Sequence, residues 1–509
     1  MKLKKLTLQN FRGYKDPISV CFSDFTAFVG KNDIGKSTIL EAMDIFFNDG
    51  KGVIKIDKAD VNIVAARENN VETCITAVFD DLPDRVIIDA THETSLIAEY
   101  LLNGDGMLEV VKKYNNAGAP KTYIRAKHPT SEHCRDLLSK KISELQRIVD
   151  TQHIECENRA ISAALRSAIW SYYAEDLALD EVEIDVSKED AKRIWDKLSQ
   201  YLPMYSLFQS DRKNDDGDSE VQDPLKEAVK QILADPELLA TLEHVAEEVT
   251  RKLTEVSTRT LEKLREMDPS IAESLTPSIP STRALKWADV FKNVSITGDD
   301  IPINKRGSGV KRLILLNFFR AEAEKHAGEN GTTNLIYAIE EPETSQHQSN
   351  QIALISALKT IAARGNAQII ITTHSSTVVK ELAFDDLRLF SVNEAGIKTI
   401  TNVQSGQMCY PSLNEINFTA FEAPTIEYLN ELYGYLEYNA WMSEYKSQAP
   451  TRPYDKLDRH GVQVTQHIST AEYVRHQIHH PENHLNPPYT TQELYDSIVS
   501  LRTFIQSKV

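Results

Sequence analysis

The chain has 509 residues, enough for about two or three domains, and 41% of them are hydrophobic. A net charge of −18 argues against a generally basic nucleic-acid binder but leaves a local basic groove open. Cys21, Cys74, Cys134, Cys156 and Cys409 are scattered and include no C-x-x-C, so neither a disulfide framework nor a zinc site is expected and a reducing cytoplasm fits. The first residues lack the apolar block of a signal peptide, and no apolar run approaches the roughly 18 residues of a membrane span.

Residues 3–10 intersperse Leu3, Leu6 and Leu8 with polar residues, the pattern of a half-buried strand. Phe11-Arg12-Gly13-Tyr14 reads as a turn, and a second strand follows around residues 18–22. Residues 25–29 are mostly apolar and predict a short buried strand. It runs into Gly30-Lys31-Asn32-Asp33-Ile34-Gly35-Lys36-Ser37, which fits the phosphate-binding pattern G-x-x-x-x-G-K-[ST]. From Thr38 onward, Ile39, Leu40, Met43, Phe46 and Phe47 fall near helical spacing. The motif therefore lies between a strand end and a helix start, where its mechanics need it. Glycines let the loop curl so that its N–H groups face phosphates, and the helix N-terminus adds partial positive charge. Lys36 is placed to reach the β- and γ-phosphates of ATP, and Ser37 to hold Mg²⁺.

Further strands are predicted over residues 71–79 and 85–88, then a hairpin of 107–114 and 122–126 around Asn115-Asn116-Ala117-Gly118. Residues 1–130 thus form an N-terminal lobe around the loop, and 131–279 a mainly helical insertion. Helices are expected over 131–151, 159–173, 188–202, 224–233 and 236–267. The last carries an apolar stripe, Leu238, Leu242, Val245, Val249, Leu253, Val256, Leu261 and Leu264, that suits either a coiled-coil arm or the packed face of a long helix. Within the insertion, residues 204–208 read as a strand leading into Gln209-Ser210-Asp211-Arg212 and an acidic run over 214–220. That run is either a solvated loop or a segment that brings Arg212 near nucleotide or partner.

Residues 280–404 return to strands and form the second lobe. Arg306-Gly307-Ser308-Gly309 opens an apolar helix over 313–323, as an anion-binding helix start or as a tight turn with a basic cap. Residues 335–339 form a buried strand ending in Glu340-Glu341-Pro342-Glu343. Carboxylates at such a strand end can hold Mg²⁺ and activate water, with Glu340 as metal ligand and Glu341 as base. Residues 368–372 make another buried strand, and His374 follows where it can touch a γ-phosphate.

The tail, residues 405–509, predicts helices over 420–442, 470–479 and 491–505. Val474-Arg475-His476-Gln477-Ile478-His479-His480-Pro481-Glu482-Asn483 supports three readings. Arg475 and His480 resemble the Arg-x₄–₆-His of HEPN ribonucleases; His476, His479 and His480 share helical spacing for a metal; or the segment is a structural helix end closed by Pro481.

In order, the Gly30–Ser37 loop, Arg306-Gly307-Ser308-Gly309, the Glu340-Glu341 strand end and His374 resemble the Walker A, signature, Walker B and switch-histidine elements of ABC-type ATPases. The resemblance points to the branch containing RecF, SMC and OLD proteins, whose first lobe opens with an Asn-Phe-Arg/Lys turn like Asn10-Phe11-Arg12. It covers residues 1–130 and 280–400 and implies an α/β head with a mixed sheet, a helical insertion and a helical C-terminal extension. It implies head-to-head dimers with ATP clamped between Gly30-to-Thr38 of one subunit, with Arg12, and Ser308-Gly309 of the other. That branch usually has Asp where Glu340 stands, and the extra methylene leads us to expect slow or absent hydrolysis. OLD nucleases carry an Asp-x-Asp in a Toprim domain, and none follows His374.

Leu207-Phe208-Gln209-Ser210-Asp211-Arg212, Val221-Gln222-Asp223-Pro224, residues 306–312 and Ile478-His479-His480-Pro481-Glu482-Asn483 resemble the ATPases of Septu anti-phage systems, the PtuA family. That resemblance implies a companion HNH nuclease, PtuB, and an oligomeric ATP-binding sensor and scaffold. The rival expectations are an ATPase with a HEPN-like ribonuclease tail and a DNA-clamping repair ATPase without nuclease.

Overall fold

The computed structural model describes residues 1–209 apart from 51, 90, 91 and 188, isolated positions between 240 and 258, residues 297–298 and 301–302, and residues 334–508 apart from 345–346, 394–395 and 404–411. The chain divides into two units, Met1–Ser210 with Ala323–Val509, and Asp211–Glu322.

The first unit opens with strands β1 (Lys2–Gln9), β2 (Ile18–Cys21) and β3 (Phe25–Val29), then helices α1 (Lys36–Asn48) and α2 (Ile63–Arg67). There follow β4 (Glu72–Asp80), a small pair β5 (Val86–Asp89) and β6 (His92–Thr94), β7 (Leu108–Asn115) and β8 (Lys121–Pro129). Helices α3 (Ile142–Thr151) and α4 (Ser162–Tyr172), strand β9 (Leu179–Asp185), helix α5 (Glu189–Leu198) and strand β10 (Met204–Phe208) complete the N-terminal part. In the second unit, β11 (Thr297–Gly298) and β12 (Ile301–Pro302) form a short antiparallel pair. The described positions between 240 and 258 are helical, as the 236–267 pattern predicts. The first unit resumes with β13 (Leu335–Glu340), α6 (Gln348–Ala362), β14 (Ala367–Thr373), α7 (Ser376–Lys380), β15 (Leu387–Val392) and β16 (Lys398–Asn402).

Two six-stranded sheets result. One runs β2-β1-β4-β7-β8-β9, antiparallel throughout. Its β1 buries Leu3, Leu6 and Leu8, the residues that marked it as a half-buried strand. The other runs β10-β13-β14-β3-β15-β16, parallel except for β16. Its central strands are near-continuous apolar runs because such strands are covered on both faces: β3 and β14 are buried at every position. Helix α1 buries Ile39, Leu40, Met43, Ile45 and Phe46 in a core shared by both sheets. Each such side chain contributes roughly 1.5–3 kcal/mol on leaving water. The register aligns Thr373 with Val29, and Glu340 with Thr372. The carboxyl ends of β3, β13 and β14 therefore open onto one edge, the usual place for a ligand crevice in a parallel sheet.

The α/β class matches the sequence reading, and three segments depart from its predicted elements. Residues 131–209 are less helical than expected, because β9 extends the antiparallel sheet by pairing with β8; the strand expected over 204–208 is β10, which joins the parallel sheet beside β13. The first expected helix there begins only at Ile142. The tail comprises α8 (Leu413–Phe421), α9 (Ile426–Tyr438), α10 (Met442–Gln448), α11 (Thr470–His479) and α12 (Thr491–Gln506). It also contains a hairpin, β17 (Thr451–Leu457) and β18 (Gln463–Ser469), where no strand was expected. The predicted 420–442 helix is divided at Glu422, whose positive φ of 52° caps α8 before Thr425 caps α9. Tail helices share a core of Tyr428, Leu432, Val474, Ile498 and Leu501.

Candidate nucleotide site

The loop between β3 and α1 has the backbone the motif requires. Gly30 has φ 156° and Gly35 φ 112°, and a Cβ on Gly30 would lie 2.6 Å from the Phe390 carbonyl oxygen. A Cβ on Gly35 would collide with the Tyr14 hydroxyl, which donates to the Gly35 carbonyl at 3.1 Å. Asp33 also takes the left-handed region, φ 60°. Lys31, Asn32 and Asp33 are exposed at the crest, Ile34 is buried beneath them, and Ser37 and Thr38 are half-buried in the first turn of α1. Lys36 is 5% exposed. Its ammonium curls over the loop and donates to the carbonyls of Gly30 at 2.7 Å and Lys31 at 2.8 Å. Burial pulls the Lys36 ammonium below the usual lysine range, opposed by Glu341, Glu343, Asp33 and Glu340.

Glu340, the last residue of β13, lies near the loop, where Ser37 and Lys36 both favour its charged form. Burial pushes its carboxyl up, the Ser37 hydroxyl and Lys36 hold it down, and Glu41 and Glu341 push it further up. A serine hydroxyl and a carboxylate brought together across the strand ends are hard oxygen donors, the set that suits Mg²⁺. Among the described residues no cluster of three His, Cys, Asp or Glu side chains could hold a metal by itself.

Glu341 begins the corner after β13. Its φ is 42°, a costly conformation for a non-glycine residue. Its N–H donates to both the backbone oxygen and the hydroxyl of Thr372, each at 3.1 Å. Its carboxylate lies 3.1 Å from His374 Nδ1 and accepts from the Thr344 hydroxyl at 3.3 Å. His374 leaves the end of β14 with its ring partly in solvent.

Arg12, also in the left-handed region with φ 47°, is pinned beside the loop. Its Nε donates to Asp60 at 2.7 Å and its Nη1 to Glu41 on α1. Glu41 also accepts from Gln209 Nε2 at 3.3 Å, just beyond β10. Burial works against the Arg12 charge, but Asp60 and Glu41 more than compensate and raise its pKa. Ile63 and Val64 are exposed on the neighbouring α2.

Thus the structure brings together Gly30 to Thr38, Glu340, Glu341 and His374, with Arg12 at the edge of α1. Ser308, Gly309, Arg212, the acidic run and the apolar stripe's side chains lie outside the described residues. Glu343 was missed as a site residue. It is 2% exposed and accepts from the Thr373 hydroxyl at 2.5 Å and from the His374 N–H at 3.2 Å. The only sequence signal was its place in the Glu340-Glu341-Pro342-Glu343 run.

In the tail, Arg475 stacks over the Tyr433 ring at 4.2 Å and pairs with Glu437 on α9. His479 meets Asn430 on the same helix at 3.2 Å. His476 instead stacks on Tyr454 of β17, and His480 meets Glu482 at 3.1 Å. Arg475 and His479 thus face α9, whereas the rings of His476 and His480 lie 5.8 Å apart on the side of β17.

The tail reaches the nucleotide site at two points. Asn417 on α8 donates to the Ser376 carbonyl at the start of α7, two residues beyond His374. Glu422, at the end of α8, pairs with Lys31 of the loop at 2.5 Å.

A phosphate loop on β3, an acidic end on β13 and a histidine at the end of β14 are the parts of a P-loop ATPase. The chain belongs to the AAA ATPase domain family, whose model matches residues 1–379. No curated protein matches it. It is similar to an SMC head bound to the C-winged helix domain of ScpA, 14% identical with a TM-score of 0.37, over 80% of this chain and 99% of that one. The SMC head domain from Thermotoga maritima is 13% identical, TM-score 0.33, over 79% of this chain and 100% of that one. The Smc head from Pyrococcus furiosus, bound to the C-terminal domain of ScpA, is 15% identical, TM-score 0.35, over 78% and 95%.

Proposed function

We propose that this chain is the ATP-binding sensor and scaffold of an anti-phage defence complex, in which ATP sets the oligomer and controls a partner HNH nuclease. The observation that carries the nucleotide part is the parallel register of β13, β14 and β3, which sets the acidic strand end beside the phosphate loop. Lys36 and the loop N–H groups bind the phosphates, Ser37 and Glu340 hold Mg²⁺, Glu341 serves as base and His374 senses the γ-phosphate. Bound Mg²⁺ supplies charge neutralisation and Lewis acidity at the phosphates. Glu340 in place of the usual aspartate makes hydrolysis slow or absent.

Ser308 and Gly309 of a second copy close the site in a head-to-head dimer. ATP bound at that interface favours one assembly over another, a shift limited by its differential affinity for the two. The two contacts of α8, with Lys31 and with Ser376, support a route from the nucleotide to the tail, where the nuclease docks. The Septu-like segments at Leu207-to-Arg212 and Ile478-to-Asn483 support the defence role and the HNH partner. Among the described residues no helix is long and apolar enough to cross a membrane, and we place the complex in the cytoplasm.

The test is reconstitution. The purified chain, an HNH nuclease of the PtuB type, and both together are assayed on DNA and RNA with and without MgATP. Cleavage by the pair that depends on nucleotide supports the reading. Cleavage by this chain alone contradicts it.

A further inference from the structure

Beyond the groups that touch nucleotide, the corner after β13 holds a second buried carboxylate with an unusual set of partners. Glu343 Oε1 takes the Thr373 hydroxyl at 2.5 Å and the His374 N–H at 3.2 Å. Its Oε2 is buried with no hydrogen-bond partner among the described residues. A buried carboxylate oxygen left unpaired is costly, so such a group calls for an explanation. The left-handed turn at Glu341 brings Glu341 and Glu343 to the same histidine: His374 Nδ1 lies 3.1 Å from Glu341 Oε1 and 3.9 Å from Glu343 Oε1. Both glutamates also latch onto β14, Glu341 through its N–H to Thr372 and Glu343 through its carboxylate to Thr373. Glu343 acts electrostatically on Lys36 as well, so it sits within the phosphate site's field.

We propose that Glu343 is the positioning residue for His374: by fixing the strand end at Thr373 and His374, it holds Nδ1 against Glu341 and leaves Nε2 for the γ-phosphate. This deepens the nucleotide reading above and rests on it. The chemistry is that of a histidine whose ring is oriented by a charged contact at one nitrogen so that the other is presented to its ligand. Glu343 does not touch the nucleotide; its effect passes through His374.

A double-mutant cycle separates this from a role in tying two strands together. ATP and ADP affinities, turnover and thermal unfolding are measured for the wild type, Glu343→Ala, Glu343→Gln, His374→Ala and the double variant Glu343→Ala/His374→Ala. We expect Glu343→Ala to lower the preference for ATP over ADP by about tenfold, the worth of one charge-assisted hydrogen bond. His374→Ala should cost the same, and the double variant no more than either. Glu343→Gln keeps an acceptor oxygen for Thr373 and His374 and should stay within about twofold of the wild type. An unchanged preference and turnover in folded Glu343→Ala, or losses that add in the double variant, would overturn the assignment. Should Glu343→Ala fail to fold, Thr373→Val removes one donor to Oε1 and should weaken the preference about threefold; no change there overturns it equally. A wild type that binds neither nucleotide sinks the nucleotide reading itself, a result distinct from these.

Discussion

Replacing Lys36 separates nucleotide binding from folding more cleanly than any other change in the loop. In the structure Lys36 is 5% exposed, and its ammonium spends two hydrogen bonds on loop carbonyls, those of Gly30 and Lys31. Removing it forfeits those bonds, about 1.5–3 kcal/mol each for a charged donor, but also removes a buried charge whose desolvation lowers its pKa. The two terms oppose, so Lys36→Ala should leave thermal stability nearly unchanged. The effect on ATP has no such offset. Truncating one partner of a buried charge pair costs about 2–5 kcal/mol, which corresponds to a Kd weaker by roughly thirtyfold to several thousandfold. Calorimetric titration of MgATP into wild type and variant, with melting curves of both, gives the two quantities. Equal ATP affinity in a folded Lys36→Ala protein would refute the site.

Glu341→Gln should retain bound ATP while slowing turnover by about a hundredfold or more, if turnover is measurable in the wild type; equal turnover in both proteins removes Glu341 as base. Gly35→Ala should abolish nucleotide binding and lower the melting temperature, because φ 112° and the Tyr14 hydroxyl leave no room for a methyl group; wild-type binding in that variant contradicts the loop geometry. Burial raises the Glu415 carboxyl from 4.5 to about 7, against the pull of Arg502 and with a further push from Glu431. The folded state therefore holds that proton more tightly than the unfolded chain, and stability is lost as pH rises from 4.5 to about 7. Denaturant titrations at several pH values should show this decline flattened in Glu415→Gln, and an unchanged slope would contradict it.

The site was legible where its chemistry is local in sequence. Gly30, Gly35, Lys36 and Ser37 occur within one loop, and β3 and α1 have the apolar run and helical spacing that frame it. Glu340 and His374 were legible as the ends of buried strands, and the register places those ends side by side. Glu343 was not, because its partners Thr373 and His374 are about thirty residues away and only the packing of β13 on β14 joins them. Strand β9, Leu-Asp-Glu-Val-Glu-Ile-Asp, is an exposed acidic edge whose identity comes from pairing with β8 rather than from burial. The tail hairpin was masked by Pro453 and by the charges of Arg452, Asp455 and Lys456 in β17. Tyr454 and Ile468 pack with Tyr473 of α11 and give it a small core that no alternation within β17 announced. Arg12 was legible as part of an Asn-Phe-Arg turn, but its clamp between Asp60 and Glu41 depends on α1 and on the loop ahead of α2.

The central claim is that ATP, held at this loop, sets the assembly of a chain that does not itself cut nucleic acid. It is tested most directly by measuring the mass of the purified protein in solution with and without MgATP, for wild type and Lys36→Ala, while assaying DNA and RNA cleavage in the same samples. The account predicts an oligomer whose size responds to ATP in the wild type alone, with no cleavage by either protein. A mass indifferent to nucleotide, or cleavage lost on His480→Ala, would contradict it.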